Sequence, residues 1–180
     1  MNAWVFQFVL LTLGGPRTAV VPPVVRPGMA KIATVRANAN FSLTITPATI
    51  SFTGTNPTSA PVVAGSAAAS VTWSNSNPSA GNWNLTVLSS SPTFTNCPSI
   101  PLSAVTVSCT SSAVTPNGSA TCSAPFALST SAQQVVGGHQ SAATSNYAVN
   151  LTFTLADSWK YIAETNPSCS LSLSYLATVP

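Results

Sequence analysis

From Phe41 onward, apolar and polar residues alternate with a period of two through most of the chain. Phe41, Leu43 and Ile45 alternate with Ser42, Thr44 and Thr46, and Ile50 and Phe52 with Ser51 and Thr53. The pattern continues in Val71 and Trp73, in Trp83, Leu85 and Val87, and in Val105 and Val107. It returns in Tyr147, Val149, Leu151, Phe153 and Leu155, and again in Leu171, Leu173 and Tyr175. Successive side chains of a strand point to opposite faces, so each run predicts a strand with one dry face and one face of Ser, Thr and Asn. Turn formers separate the runs: Pro47, residues 54–57, residues 75–81, Pro98, residues 116–118, Gly137-Gly138 and Pro167. No window carries a sustained 3.6-residue repeat with helix caps. The expectation is an all-β chain forming an antiparallel β-sandwich, Ig-like or jelly-roll-like with Greek-key connections, and no substantial helix.

One pairing can be placed from the pattern. Residues 70–74 and 82–88 flank a loop centred near Pro78, and a hairpin symmetric about it sets Val71 opposite Leu85 and Trp73 opposite Trp83. Cross-strand aromatic pairs contribute roughly 0.2–1 kcal/mol beyond an Ala pair. Either both rings belong to the core, or one lies at the rim as a stacking platform for a sugar.

The N-terminal part differs in kind. Residues 4–13, beginning at Trp4, form an apolar run shorter than the roughly 20 residues of a membrane-spanning helix. The length suits the core of an export leader, although no Lys or Arg precedes it and the best small-x-small cleavage site, Ala37-Asn38-Ala39, lies far downstream. Pro16, Pro22, Pro23 and Pro27 fill the interval. Residues 1–39 are therefore expected to be a leader or a non-globular tail, with a structured first strand as the other reading, and residues 40–180 a single sandwich domain.

Charge sharpens this division. Only 4% of the 180 residues are charged, and the formal net charge of +3 comes from Arg17, Arg26, Lys31 and Arg36. From Ala37 onward Lys160 stands alone against Asp157 and Glu164. Ser (27), Thr (23) and Asn (13) supply the polar surface, and mean hydropathy is still +0.35. An ordinary domain carries about 25% charged residues. Intrinsic disorder is excluded by the hydropathy, and a nucleic-acid partner by the lack of a dense basic face.

Candidate chemistry is sparse. A serine triad would need His139 with Asp157 or Glu164, and no Gly-x-Ser-x-Gly elbow is present. Those two acids would also have to serve any glycoside cleavage or calcium site. Lys160 beside Asp157 or Glu164 is the one arrangement suited to an isopeptide crosslink. The reading is that the chain is no enzyme and has no catalytic residue, cofactor or metal. Asn40, Asn84, Asn117 and Asn150 head matches to the glycosylation acceptor pattern, which chance supplies freely in this composition.

Cys97, Cys109, Cys122 and Cys169 include no Cys-x-x-Cys pair, which favours two disulfides in an oxidising compartment over a metal site or reduced core thiols. Three pairings are open. Cys109–Cys122 with Cys97–Cys169 is preferred, because the first pair brackets the turn at Pro116-Asn117-Gly118.

Two segments carry a resemblance. Gly81-Asn82-Trp83-Asn84-Leu85-Thr86-Val87 resembles the first signature of the WxL domain, a surface module of Gram-positive bacteria. Tyr147-Ala148-Val149-Asn150-Leu151-Thr152-Phe153-Thr154-Leu155 resembles its second signature, with Phe153 where that family has Trp. The Asp-x-Arg element of the family is missing from residues 74–80, and cysteines are unusual in it. The resemblance covers about residues 40–180 and implies an exported, non-catalytic β-domain attached to peptidoglycan. Trp83 and Leu85 would belong to the first motif, and Tyr147, Leu151, Thr152 and Phe153 to the second.

The expected function is a secreted cell-surface module that binds peptidoglycan or another surface glycan without catalysis. Trp83, Leu85, Trp73 and Trp159 are the candidate contacts. The alternative is a structural subunit of a surface filament or coat that self-associates through edge strands, since little charge guards those edges. Residues 40–54, or the tail before them, would complete a neighbour's sheet. Neither reading includes a transmembrane span.

Overall fold

The computed structural model describes residues 5–9, 42–53, 56–76, 79–141, 144–158, 161 and 169–179, with the backbone alone for 5–9 and 42. The described chain is all-β, and its helical content is a single 3-10 turn, Leu102–Ala104. No described helix is long and apolar enough to cross a membrane.

Two sheets hold most of the strands. The first runs in the order β10 (Gly118–Cys122), β12 (Gln133–Gln140), β6 (Gly81–Ser89), β14 (Cys169–Thr178), β1 (Val5–Val9), β3 (Thr49–Thr53). The second runs β11 (Phe126–Ala127), β9 (Val105–Thr115), β13 (Ser145–Ala156), β5 (Ala69–Asn75), β2 (Ser42–Thr46). Short β4 (Val62–Ala64) lies beyond β5 on β13, and β7 (Thr93–Phe94) pairs with β8 (Cys97–Pro101).

The predicted strand runs are all present, and their alternation is the burial pattern. Tyr147, Val149, Leu151, Phe153 and Leu155 of β13 are buried, while Asn146, Ala148 and Asn150 between them are exposed. Trp83, Leu85 and Val87 of β6, and Leu171, Leu173 and Tyr175 of β14, supply the opposing face of the same core. β4 and β5 together follow one edge of β13. Between them Gly65 donates its N–H to Phe153 O (2.8 Å), and a Cβ on Gly65 would meet Ile50 Cγ2 at 2.6 Å.

Three local expectations are corrected. Residues 70–74 and 82–88 do not form a hairpin: β5 pairs with β2 and β13, β6 with β12 and β14. The connection therefore crosses from sheet to sheet, because a period of two shows which face is dry but not which edge is paired. Gly137, Gly138 and His139, read as a loop, lie inside β12. A Cβ on Gly138 would fall 1.9 Å from Ser119 O and 3.0 Å from Trp83 Nε1, so Gly138 marks a close backbone approach rather than a turn. Pro98, read as a turn, sits in β8, a strand with one partner, where a missing N–H is tolerated.

Both preferred disulfides are present. Cys97–Cys169 and Cys109–Cys122 each have Cα atoms 5.4 Å apart. The second pair does bracket the bend at residues 116–117. Because β9 belongs to one sheet and β10 to the other, this bond also ties the sheets together along that side.

Candidate functional site

The most distinctive site is the place taken by β1. Val5–Val9 lies between β14, to which it runs parallel, and β3, to which it runs antiparallel. Its pairing with β14 is the one parallel pairing among the described strands. Phe6 stands opposite Phe52 and Cys169, and Phe8 opposite Ile50 and Leu171. The segment expected to lie within an export leader or non-globular tail thus contributes an interior strand. Strands are spaced about 4.8 Å, so β14 and β3 are separated by about 9.6 Å and reach each other only through β1.

The walls of this slot are built from both sides. Ser51 points its backbone away from β1: Ser66 N–H donates to Ser51 O (2.8 Å), and Ser51 N–H donates to Ser66 Oγ (3.0 Å). Backbone groups alternate along a strand, so those of Ile50 and Phe52 face β1. On the other wall, Ser170 exchanges backbone bonds with Thr95 (2.8 and 3.2 Å), and the Cys97–Cys169 disulfide anchors the start of β14. Ile50 and Phe52 are fully buried. The sequence marked the apolar run containing β1 but carried no signal for its partner, because pairing across 40 or more residues leaves no local pattern.

Burial decides between the two readings of Trp73 and Trp83, core or rim, in favour of the core. Trp73 and Trp83 are only 3% and 2% exposed, and Leu85 is fully buried. Their rings face the core, so they form no rim platform. Trp73 stacks on Tyr147 (centroids 4.8 Å, planes 6° apart), and Trp83 meets Trp73 at 5.6 Å and Tyr147 at 4.9 Å, both edge to face. Residues 81–87 and 147–155 therefore meet between the two sheets. Leu151 and Phe153 are buried beside Tyr147, and Thr152 is half-buried on the outer face. Trp159, Lys160 and Glu164 lie outside the described residues.

A buried polar cluster adjoins this stack, and sequence reasoning passed over it. Asn75 Nδ2 donates to Gln140 Oε1 (3.1 Å), the Tyr147 hydroxyl donates to the same oxygen, and Gln140 Nε2 donates to Ser79 O (3.2 Å). Gln140 belongs to the first sheet, Asn75 and Tyr147 to the second, so the cluster links the two sheets. Burial pushes the Tyr147 phenol above its ordinary value, partly offset by the Asn75 and Ser145 side chains. A polar residue at an inward strand position was the available signal.

The outer face of the second sheet is a field of hydroxyls and amides. In register across it stand Thr44 and Thr72, Ser74 and Asn146, and Asn146 and Thr115. They border a shallow groove of about 400 Å³ whose floor includes Ala113 and Ala148.

Of the residues considered for catalysis, His139 and Asp157 are described and stand far apart. His139 adjoins Gln140 and so lies near Tyr147, whereas Asp157 follows the far end of β13, about 33 Å away at 3.3 Å per residue. No group of three or more His, Cys, Asp or Glu suited to a metal occurs among the described residues. No family model, curated protein or solved structure matches the chain.

Proposed function

We propose that the chain is a non-catalytic structural subunit of an extracellular filament or coat, whose sandwich is completed by an N-terminal strand. The position of β1 carries this reading. A segment separated from β2 by 32 residues occupies an interior place in a sheet, and such an element is readily supplied by a neighbouring copy. The outer edge of β2, Ser42–Thr46, has no partner among the described residues and no charged residue to discourage pairing. Two disulfides suit an oxidising compartment.

The test is size-exclusion chromatography of the full chain over a hundredfold concentration range, with negative-stain microscopy of the same samples. Growth of regular assemblies with concentration is expected. A monomer at every concentration sinks the proposal.

A second reading, a glycan-binding surface module, draws on the groove bordered by Thr44, Thr72, Ser74, Thr115 and Asn146. Contact there would come from hydroxyls and amides rather than from stacked Trp rings. Retention on purified peptidoglycan that is lost in Thr72→Val/Asn146→Ala supports it, and an absence of retention removes it.

A further inference from the structure

We propose that Asn117 is a site of spontaneous covalent modification. The backbone nitrogen of Gly118 displaces its side-chain amide and leaves aspartate or isoaspartate at the bend between β9 and β10. Asparagine is among the least durable side chains, and three observations single this one out. Asn117 is exposed, at the bend of residues 116–117. It is the one Asn of the chain followed by glycine, so no side chain shields the attacking nitrogen. The orientation of that nitrogen is the third. Ser141 N–H donates to Asn117 O (3.3 Å) and Ser123 N–H to Val135 O (2.8 Å), so residues 117, 119, 121 and 123 are the positions bonded to β12. Gly118 falls between two of them, and its N–H therefore turns away from β12, off the end strand of the first sheet. The other described asparagines lack this combination. Asn56 precedes Pro57, whose nitrogen carries no hydrogen. Asn75 is buried and bonded to Gln140, and Asn150 donates its amide to Ser111 Oγ (2.8 Å). Asn82, Asn84, Asn96 and Asn146 each precede a buried side chain.

The reaction needs no partner but water. Gly118 N forms a bond to Asn117 Cγ and gives its proton to solvent, the Cγ–Nδ2 bond breaks, and the amide nitrogen takes up a proton and leaves as ammonia. Water then opens the cyclic imide. Cleavage at Cγ gives aspartate, and cleavage at the main-chain carbonyl gives isoaspartate, with one extra carbon in the backbone. Either product adds a negative charge to a domain whose charged side chains from Ala37 onward are Lys160, Asp157 and Glu164. Isoaspartate also displaces Gly118, which sits where a Cβ would meet His139 O at 2.4 Å and Val114 Cγ1 at 2.8 Å. Gly118 stands opposite Gln140, so the altered bend bears on the polar cluster that joins the two sheets.

The test is to incubate the full chain at mildly alkaline pH, folded and in parallel unfolded in guanidinium, and to map its peptides by mass spectrometry over time. In the folded protein Asn117 is expected to lose its amide several-fold faster than Asn146 or Asn150. The product should be mainly isoaspartate, detected by labelling with an isoaspartyl methyltransferase. A more acidic species should grow on ion exchange at the same rate, be absent from Asn117→Gln, and melt at a lower temperature than the unmodified protein. Retention of the Asn117 amide in the folded chain while the unfolded chain loses it overturns the proposal, because the fold then protects the site. Conversion to aspartate alone also overturns it, since direct hydrolysis without attack by Gly118 gives no isoaspartate. Equal loss at Asn117, Asn146 and Asn150 removes the role given to the bend.

Discussion

Tyr147 lies flat against Trp73, ring on ring at 4.8 Å, while its hydroxyl reaches across the core to Gln140 in the opposite sheet. One side chain therefore packs within its own sheet and bonds to the other. Trp73→Ala should lose about 3–5 kcal/mol. Tyr147→Phe, which removes one donor from the Gln140 cluster, should lose about 1 kcal/mol. A double-mutant cycle at Trp73 and Tyr147 by urea unfolding should give a coupling of about 0.5–1.5 kcal/mol; strict additivity would show that the stack contributes nothing beyond burial.

The two disulfides should differ in worth. In the chain-entropy account, closing the 13-residue separation of Cys109–Cys122 stabilises by about 3 kcal/mol, and the 72-residue separation of Cys97–Cys169 by about 4.4 kcal/mol. Paired Cys→Ala variants compared by denaturant unfolding should rank in that order. The opposite ranking would mean that the clamp between the sheets at Cys109–Cys122 outweighs loop length.

Neighbouring glycines should respond unequally to alanine. At Gly138 the new methyl meets the Ser119 backbone, which cannot move without parting β10 from β12, and the loss should reach about 1–3 kcal/mol or more. At Gly137 the nearest atom is the end of the exposed Gln134 side chain, which can swing aside. Thermal melts of the two variants check the contrast, and equal effects would remove the close-approach explanation.

Tyr175 is fully buried, and its hydroxyl has no hydrogen-bond partner among the described residues. Burial raises its pKa far above the usual tyrosine range, with no opposing cause. Above pH ~10 the unfolded chain loses this proton while the folded chain keeps it, so stability is intact below pH ~10 and falls as pH rises further. Tyr175→Phe should flatten that alkaline decline and, at neutral pH, should be neutral or stabilising by up to about 1–3 kcal/mol, since an unpaired buried hydroxyl is removed. A steeper decline in the variant would contradict the assignment.

Much of this fold can be read from the chain. The alternation in residues 147–155 marks β13, and the Pro116-Asn117-Gly118 bend explains why Cys109 meets Cys122. The candidate site is less legible. Trp73 and Trp83 show the same alternation whether they line a rim or a core, and Gly137-Gly138 reads as a turn until Ser119 is seen against it. Gln140 gives no local sign that its partners lie 65 residues before and 7 residues after it.

By itself the sequence determined the strongly alternating strands, their dry faces, the scarcity of charge from Ala37 onward and a consistent pairing for four cysteines. These are local properties, set by the period of the side chains and the chemistry of turns. The tertiary structure decided which edges pair, that the connection after Asn75 crosses between sheets, and that Val5–Val9 enters between β14 and β3. Strand pairing is made by backbone groups that every residue carries alike, so the choice of neighbour depends on which dry faces can close over one core.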